Sequence, residues 1–177
     1  MHLSSFARGL SLALALLATV TVSSGNFSGN AKSYPQTGKR LTPFKSGKYE
    51  LRDTKGNAEA VTITRLTTGQ YRVEGRNRNA IATFYPNTRG SYVMVLREAN
   101  RYGYFIAVPK SGGVRVYDTS YAAHNLPEGK SPDNIPTALE NLPYGNDAAK
   151  NKAFLQRLYT KGDRGFFQTI FTAVPVK

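Results

Sequence analysis

Residues 91–118, SYVMVLREANRYGYFIAVPKSGGVRVYD, decide the fold. This stretch holds three short runs of Val, Ile, Tyr and Phe, the residues that β-strands favour, and two breaks separate the runs. The breaks, Glu98-Ala99-Asn100 and Pro109-Lys110-Ser111-Gly112-Gly113, contain the residues that turns require, since Gly and Asn adopt a positive φ and Pro fixes φ at a corner. Connections this short join only antiparallel neighbours. The stretch therefore predicts a three-stranded antiparallel meander.

The first two runs of this meander are apolar on both faces. Tyr92–Leu96 and Tyr104–Val108 show no alternation, whereas in the third run Val114 and Val116 alternate with Arg115. A strand has this pattern when both of its faces are covered. We therefore expect another element to pack on the outside of these two strands.

The same rhythm extends towards the N-terminus. Four further runs of alternating residues precede the meander, and one of the turns between them is Arg76-Asn77-Arg78-Asn79. The predicted strands are Lys48–Arg52, Ala60–Leu66, Gln70–Glu74, Ala80–Tyr85, Ser91–Arg97, Tyr102–Val108 and Val114–Asp118.

A helix and an eighth strand are predicted in the C-terminal part. Asp147 is placed to cap a helix from Ala148 to about Thr160, and Gly162 is placed to end it. An apolar stripe on this helix supplies a cover for the two doubly apolar strands. Its members are Ala149, Ala153, Phe154 and Leu158. The run 166–174 then predicts a last strand that returns beside the first one.

The predicted fold class is mainly β. We expect an antiparallel meander of about eight strands, curled or closed into a barrel, with one C-terminal helix packed before the last strand. A β-sandwich, or an open sheet curled over the helix, is the alternative.

The N-terminal residues predict an exported protein. Residues 1–24 form a signal peptide, with Arg8 in a basic start and an apolar run, Leu10–Val22, of 13 residues. That run is shorter than the roughly 20 residues that cross a bilayer, so we expect no transmembrane span in the mature chain. Residues 25–46 are predicted to be a flexible linker and residues 47–177 a single β-rich domain. The absence of cysteine fits a bacterial periplasmic or secreted location.

Composition limits the chemistry. The formal net charge is +13, and removal of Arg8 with the signal peptide leaves +12, which favours anionic partners. We expect an anionic small molecule, lipid, glycan or acidic protein as the partner, and no nucleic acid because the chain is exported. With no cysteine and one histidine after the signal peptide, His124, the sequence predicts no metal site and no cofactor.

The titratable residues give little support for catalysis. His124 lies near Asp118 and Ser120, but this segment lacks a nucleophile elbow, so a capping or surface role is favoured over a hydrolase. Glu74 and Glu98 at strand ends have arginine neighbours and indicate ion pairs rather than a glycosidase pair.

The strand pattern resembles the calycin-type barrels, which include lipocalins, avidins and the small periplasmic lysozyme inhibitors. The resemblance rests on Gly47-Lys48-Tyr49 at the start of the first strand and on the hairpin meander, and it covers residues 47–118 and the last strand. It implies a small exported bacterial β-barrel. The inhibitors' motifs differ in spacing from Ser46-Gly47-Lys48-Tyr49 and Tyr159-Thr160-Lys161-Gly162, so their functional residues are not carried over. The tryptophan walls of the avidin site are missing, because the chain has no Trp.

Three hypotheses for function follow. The first is a non-enzymatic periplasmic binding or interaction module, whose open barrel end accepts an anionic or amphipathic ligand or an acidic protein surface. The second is an envelope-accessory protein that binds anionic lipid or polysaccharide through diffuse positive charge, and the third is a hydrolase that uses His124. The residues expected to frame the binding end in the first hypothesis are Tyr102, Tyr104, Tyr117, Arg97, Arg101 and Arg115.

Overall fold

The structure is a computed structural model that describes residues 27–35, 40, 42–76, 78–111, 113–119, 142–162 and 168–177. The predicted signal peptide, Ser120 and His124 lie outside these residues. The strands are β1 (Phe27–Gly29), β2 (Gly47–Asp53), β3 (Ala58–Arg65), β4 (Tyr71–Gly75), β5 (Arg78–Pro86), β6 (Tyr92–Glu98), β7 (Arg101–Lys110), β8 (Gly113–Asp118) and β9 (Gln168–Pro175). The helix α1 spans Ala148–Gly162 and precedes β9.

Eight of the strands close into an antiparallel barrel. Each strand from β2 to β9 pairs with its neighbour in the chain, and β9 returns to pair with β2, where Leu51 lies opposite Ala173. The ninth strand, β1, adds to the edge of β7 at residues 102–104, beyond the part of that edge that β8 occupies at residues 106–110. The predicted mainly β fold with eight meandering strands is confirmed, and closure removes the exposed edges that an open sheet would present.

The barrel interior is one continuous apolar core. Side chains alternate between the two faces of a strand, so every second residue of β2 to β9 points inwards. Tyr71 and Phe84 are the largest fully buried side chains of this core, and they contact each other at 5.8 Å between ring centroids. We call this set the interior core; its other members include Tyr49, Leu51, Val61, Ile63, Met94, Leu96, Phe105, Val114, Val116 and Phe171.

A second apolar core lies outside the barrel, under α1. We call it the exterior core; its buried members are Phe27, Tyr34, Tyr85, Val93, Val95, Tyr104, Ile106, Leu142, Phe154, Leu155 and Leu158. These residues come from the outer face of β5, β6 and β7, from β1 and from α1. The expectation that a helix covers the two doubly apolar strands is therefore confirmed.

The face that α1 buries differs from the predicted stripe in two positions. Phe154 and Leu158 are buried as expected, but Ala149 and Ala153 are exposed and Asn151 and Leu155 are buried instead. Asn151 fits this buried position because each of its polar atoms has a partner. Its Nδ2 donates to the carbonyl oxygens of Ser33 (2.8 Å) and Gly145 (3.0 Å), and its Oδ1 accepts from the backbone N–H of Tyr144 (3.1 Å). The predicted cap is present, since the backbone N–H of Lys150 donates to Asp147 Oδ1 at 3.0 Å.

Part of the segment that we expected to be a flexible linker packs against the barrel. Phe27 is buried in the exterior core and meets Phe154 edge to face at 5.3 Å between centroids. Ser33 and Tyr34 are also buried, and Phe44 packs on the interior core. The Gly, Ser and Pro content of this segment indicated a loop, but its aromatic side chains Phe27, Tyr34 and Phe44 attach the segment to both cores.

Candidate ligand pocket at the barrel mouth

The two ends of the barrel have different chemistry. At one end, which we call the charged end, Arg78 lies inside the barrel with only 9% of its side chain exposed. Its guanidinium contacts Glu59 Oε2 at 3.3 Å and Glu98 Oε1 at 3.6 Å. Both carboxylates are more than two thirds buried, so the three charged groups form one partly enclosed cluster at this end. The neighbouring Gly75 leaves room for them, since a Cβ there would lie 2.7 Å from Oε1 of Glu59.

Arg78 is one place where the sequence prediction was wrong. The stretch 76–79 was predicted as a turn, but Arg78 and Asn79 begin β5, and Arg78 points inwards two residues before Ala80. The turn composition is real, but the two inward carboxylates on β3 and β6 hold the arginine in the sheet.

The other end, which we call the mouth, carries a cavity of about 480 Å³. Its lining residues come from the segment before β2 and from the ends of β2, β6, β7, β8 and β9. They are Pro43, Phe44, Lys45, Ser46, Gly47, Lys48, Tyr49, Tyr92, Pro109, Lys110, Gly113, Val114, Pro175 and Val176.

The walls of the mouth cavity are aromatic and apolar. The ring of Phe44 stands at 90° to the ring of Tyr49 with 5.6 Å between centroids, and the ring of Tyr92 meets that of Phe84 edge to face at 6.2 Å. The backbone N–H of Val176 donates to the carbonyl of Lys48 at 2.9 Å, which holds the C-terminal residues at the rim. Val176 is 49% exposed there, an apolar surface that a ligand can cover.

Three lysines stand at the rim of the mouth. Lys48 is the second residue of β2, Lys110 is the last residue of β7, and Lys45 precedes β2; all three are exposed. None of the described residues that line the cavity is Asp or Glu. Low-dielectric walls with one sign of charge concentrate the field and attract the opposite charge. The mouth is therefore complementary to an anion with an apolar body.

The six predicted site residues do not line this cavity. Tyr104 is fully buried in the exterior core and its hydroxyl donates to the carbonyl of Asn30 at 2.9 Å. Tyr102 and Tyr117 are half-buried against the same core. Their placement on the outer face of β7 and β8 favours a packing role, because α1 and β1 cover that face.

The three predicted arginines are exposed, and Arg97 and Arg115 lie on the outer face of the barrel. Arg97 lies near the end of β6, opposite Tyr102, and Arg101 is the first residue of β7, opposite Glu98 at the charged end. Arg115 lies in β8, opposite Val108 of β7 and Thr172 of β9. The strand register therefore separates Arg115 from the other two. Ligand binding by these residues stays a prediction.

Burial of Tyr34 and Tyr104 in the exterior core predicts that the protein loses stability at alkaline pH. Desolvation, reinforced by the neighbouring tyrosines, raises the pKa values of Tyr34 and Tyr104 well above their usual value. The unfolded chain then loses these protons first, so the stabilising contribution is complete below about pH 10 and is lost above it. We expect the free energy of unfolding to fall by about 1.4 kcal/mol per pH unit for each of the two tyrosines as the pH rises beyond 10.

Phenolate absorbance and far-ultraviolet circular dichroism, recorded together from pH 9 to 12.5, check this expectation. The phenolate signal of the buried tyrosines should appear together with loss of the β-sheet signal. Full ionisation of all tyrosines near pH 10 with the sheet intact would show that the cluster is accessible to solvent.

The described residues contain no group of three or more His, Cys, Asp or Glu side chains placed to hold a metal ion. The described helices also include none that is long and apolar enough to cross a membrane. The hydrolase hypothesis depends on His124, which lies outside the described residues, and it stays a prediction.

Comparison with known proteins returns no relative. No family model, no curated protein and no solved structure matches this chain. The geometry of the mouth therefore carries the functional argument by itself.

One feature of the sequence indicated the mouth but was not used in the strand prediction. Phe44 is a single large aromatic residue in Thr42-Pro43-Phe44-Lys45-Ser46, inside an otherwise polar segment just before the first predicted strand. An aromatic side chain in such a segment is placed to anchor it on a nearby core. Its basic neighbour Lys45 then comes to the rim.

Proposed function

We propose that the protein is a non-enzymatic binding module, exported to the bacterial periplasm or beyond, that holds an amphipathic anion in the mouth of its barrel. The observation that carries the proposal is the cavity of about 480 Å³ with aromatic walls, three lysines at the rim and no Asp or Glu among the lining residues that the structure describes. This volume falls within the range of small-molecule sites, about 300–1,000 Å³. The proposed ligand places its apolar part in the aromatic pocket that Tyr49 and Tyr92 help to line, and its acidic group among the lysines.

The cost of desolvation explains why the walls bind the apolar part of the ligand and the rim binds its acidic group. A charged group entering the apolar interior would lose its hydration, so the acid is held at the rim where water and lysine ammonium groups both reach it. The apolar part gains from leaving water at about 25 cal/mol per Å² of buried surface. The rim then selects the sign of the charge, and the walls supply most of the affinity.

A second candidate is an envelope-accessory protein that binds anionic lipid or polysaccharide through diffuse charge. One observation favours it. Arg72, Ile81 and Arg97 lie side by side across β4, β5 and β6 on the outer face, and both arginines are exposed. In this case affinity depends on the number of positive charges and on salt, and not on which lysines are present.

Removal of the rim charges tests the proposal. The probe is 8-anilinonaphthalene-1-sulfonate, an aromatic anion whose fluorescence rises on binding to an apolar site. We expect the triple variant Lys45→Gln, Lys48→Gln and Lys110→Gln to bind it about tenfold more weakly, a loss of about 1.4 kcal/mol from three exposed charges. Fluorescence titration of both proteins at one ionic strength gives the two dissociation constants.

A matched variant separates the mouth from overall charge. Lys32→Gln, Lys55→Gln and Lys152→Gln remove the same charge from three exposed lysines that do not line the cavity. We expect this variant to bind the dye like the wild type, and N-phenyl-1-naphthylamine, which lacks the sulfonate, to bind all three proteins equally. Equal weakening in both triple variants would favour diffuse charge and reject the mouth as the site.

A further inference from the structure

Phe44 occupies a position that is already shaped for an aromatic ring. Its centroid lies 5.6 Å from that of Tyr49, 5.6 Å from that of Tyr71 and 5.3 Å from that of Phe84. All three contacts are edge-to-face, with interplanar angles of 90°, 82° and 62°. This is the arrangement that the quadrupole of an aromatic ring favours. The ring thus enters the top of the interior core from a segment that is not itself part of the barrel.

Side-chain hydroxyls attach this segment to the barrel. The hydroxyl of Tyr71 donates to the carbonyl of Phe44 at 2.9 Å and accepts from its backbone N–H at 3.2 Å. The hydroxyl of Tyr49 donates to the carbonyl of Lys45 at 2.9 Å, and Ser46 Oγ accepts from the backbone N–H of Arg65 at 2.9 Å. A hydroxyl rotates to suit its partner, so these groups can bond to water or to a ligand oxygen when the segment leaves.

We propose that Phe44 is an internal occupant of the mouth and that the ligand is an aryl-bearing anion whose ring takes its place. The inference rests on the proposed function and names the ligand class for the same site. The ligand ring meets the edges and faces of Tyr49, Tyr71 and Phe84, the freed tyrosine hydroxyls accept new partners, and the acidic group reaches Lys48 and Lys110. Phe44 and the ligand ring cannot occupy the same position together. The fraction of protein molecules in which Phe44 fills this position therefore lowers the apparent affinity for the ligand.

A tryptophan at position 44 reports on this exchange. The chain has no Trp, so Phe44→Trp places a single indole in the protein. The probe is 4-phenylbutyrate, and the comparison compounds are hexanoate, which has the acid without the ring, and 4-phenylbutan-1-ol, which has the ring without the acid. We expect 4-phenylbutyrate to shift the indole emission to longer wavelength as the side chain moves into water, and hexanoate to leave the emission unchanged.

The variant Phe44→Ala gives the second readout. With the internal competitor removed, we expect 4-phenylbutyrate to bind about tenfold more tightly than to the wild type, as measured by isothermal titration calorimetry. Circular dichroism of this variant checks that the barrel is intact. If Phe44→Ala does not fold, the indole emission of Phe44→Trp still tests the inference.

The results separate the inference from the function it rests on. An unchanged or shorter emission wavelength on binding, or weaker binding by Phe44→Ala with the barrel intact, would show that Phe44 is a fixed wall and overturn the inference. The proposed function fails on a different result, namely unchanged dye affinity in the rim-lysine variant.

Discussion

Replacing Phe154 by alanine is expected to lower the free energy of unfolding by about 3–5 kcal/mol, the range for large buried aromatic residues. Phe154 is fully buried and joins the helix to two other parts of the chain, since its ring meets Phe27 at 5.3 Å and Tyr144 at 6.3 Å. Its loss leaves a cavity over the outer face of β6 and β7, whose Val93 and Ile106 depend on this cover. Urea denaturation followed by circular dichroism measures the change.

Lys152→Ala is the matched control for this variant. Lys152 lies on the same helix but is exposed, so its replacement should change the free energy of unfolding by no more than about 0.5 kcal/mol. If Phe154→Ala were as mild as this control, α1 would not be part of the folded core and the exterior core would need another cover.

Replacing Arg78 by methionine is expected to lower the free energy of unfolding by about 3 kcal/mol at neutral pH. The change keeps an unbranched side chain about as long as the stem of arginine, but it leaves Glu59 and Glu98 inside the charged end without the guanidinium that contacts both. Removal of one partner from a buried ionic group is severe because the remaining charges lose their compensation. Denaturant unfolding at pH 7 checks the value.

The triple variant Glu59→Gln, Arg78→Met and Glu98→Gln separates charge from packing. It removes the carboxylates together with the guanidinium, so most of the lost stability should return, since an ionic cluster replaced as a whole is often neutral. Equal destabilisation of the single and triple variants would mean that the guanidinium supports the barrel through packing alone.

The strand positions could be predicted because each depends on local alternation. Every predicted strand end lies within two residues of the observed one, and the hairpin at Lys110 and Gly113 forms as the turn residues indicate. The late position of the last strand led us to expect that it returns beside the first strand, and β9 does pair with β2. The doubly apolar strands then indicated that a cover was needed.

Contacts between distant residues could not be predicted in this way. Arg78 is a turn residue by composition, and only Glu59 and Glu98, from two other strands, bring it inside. Asn151 is polar and was not part of the predicted apolar stripe, and its buried position depends on carbonyls at Ser33 and Gly145.

The candidate site was missed for the same physical reason. The tyrosines and arginines around β7 were expected to frame an open end, but α1 and β1 cover the tyrosines from outside. The mouth combines Phe44 and Lys45 from a segment of loop composition with Tyr92 and Lys110, which lie far away in sequence. Only the register of the closed barrel places these side chains around one cavity.

The most direct test of the mouth as the binding site is a two-dimensional ¹H–¹⁵N NMR titration of the mature protein with 8-anilinonaphthalene-1-sulfonate. We predict shifts concentrated in the amides of residues 44–49, 92, 110–114 and 176, while the amide signals of Arg72, Ile81 and Arg97 on the outer face stay in place. Shifts centred on Arg72, Ile81 and Arg97, or spread evenly over the basic surface, would contradict the mouth as the binding site.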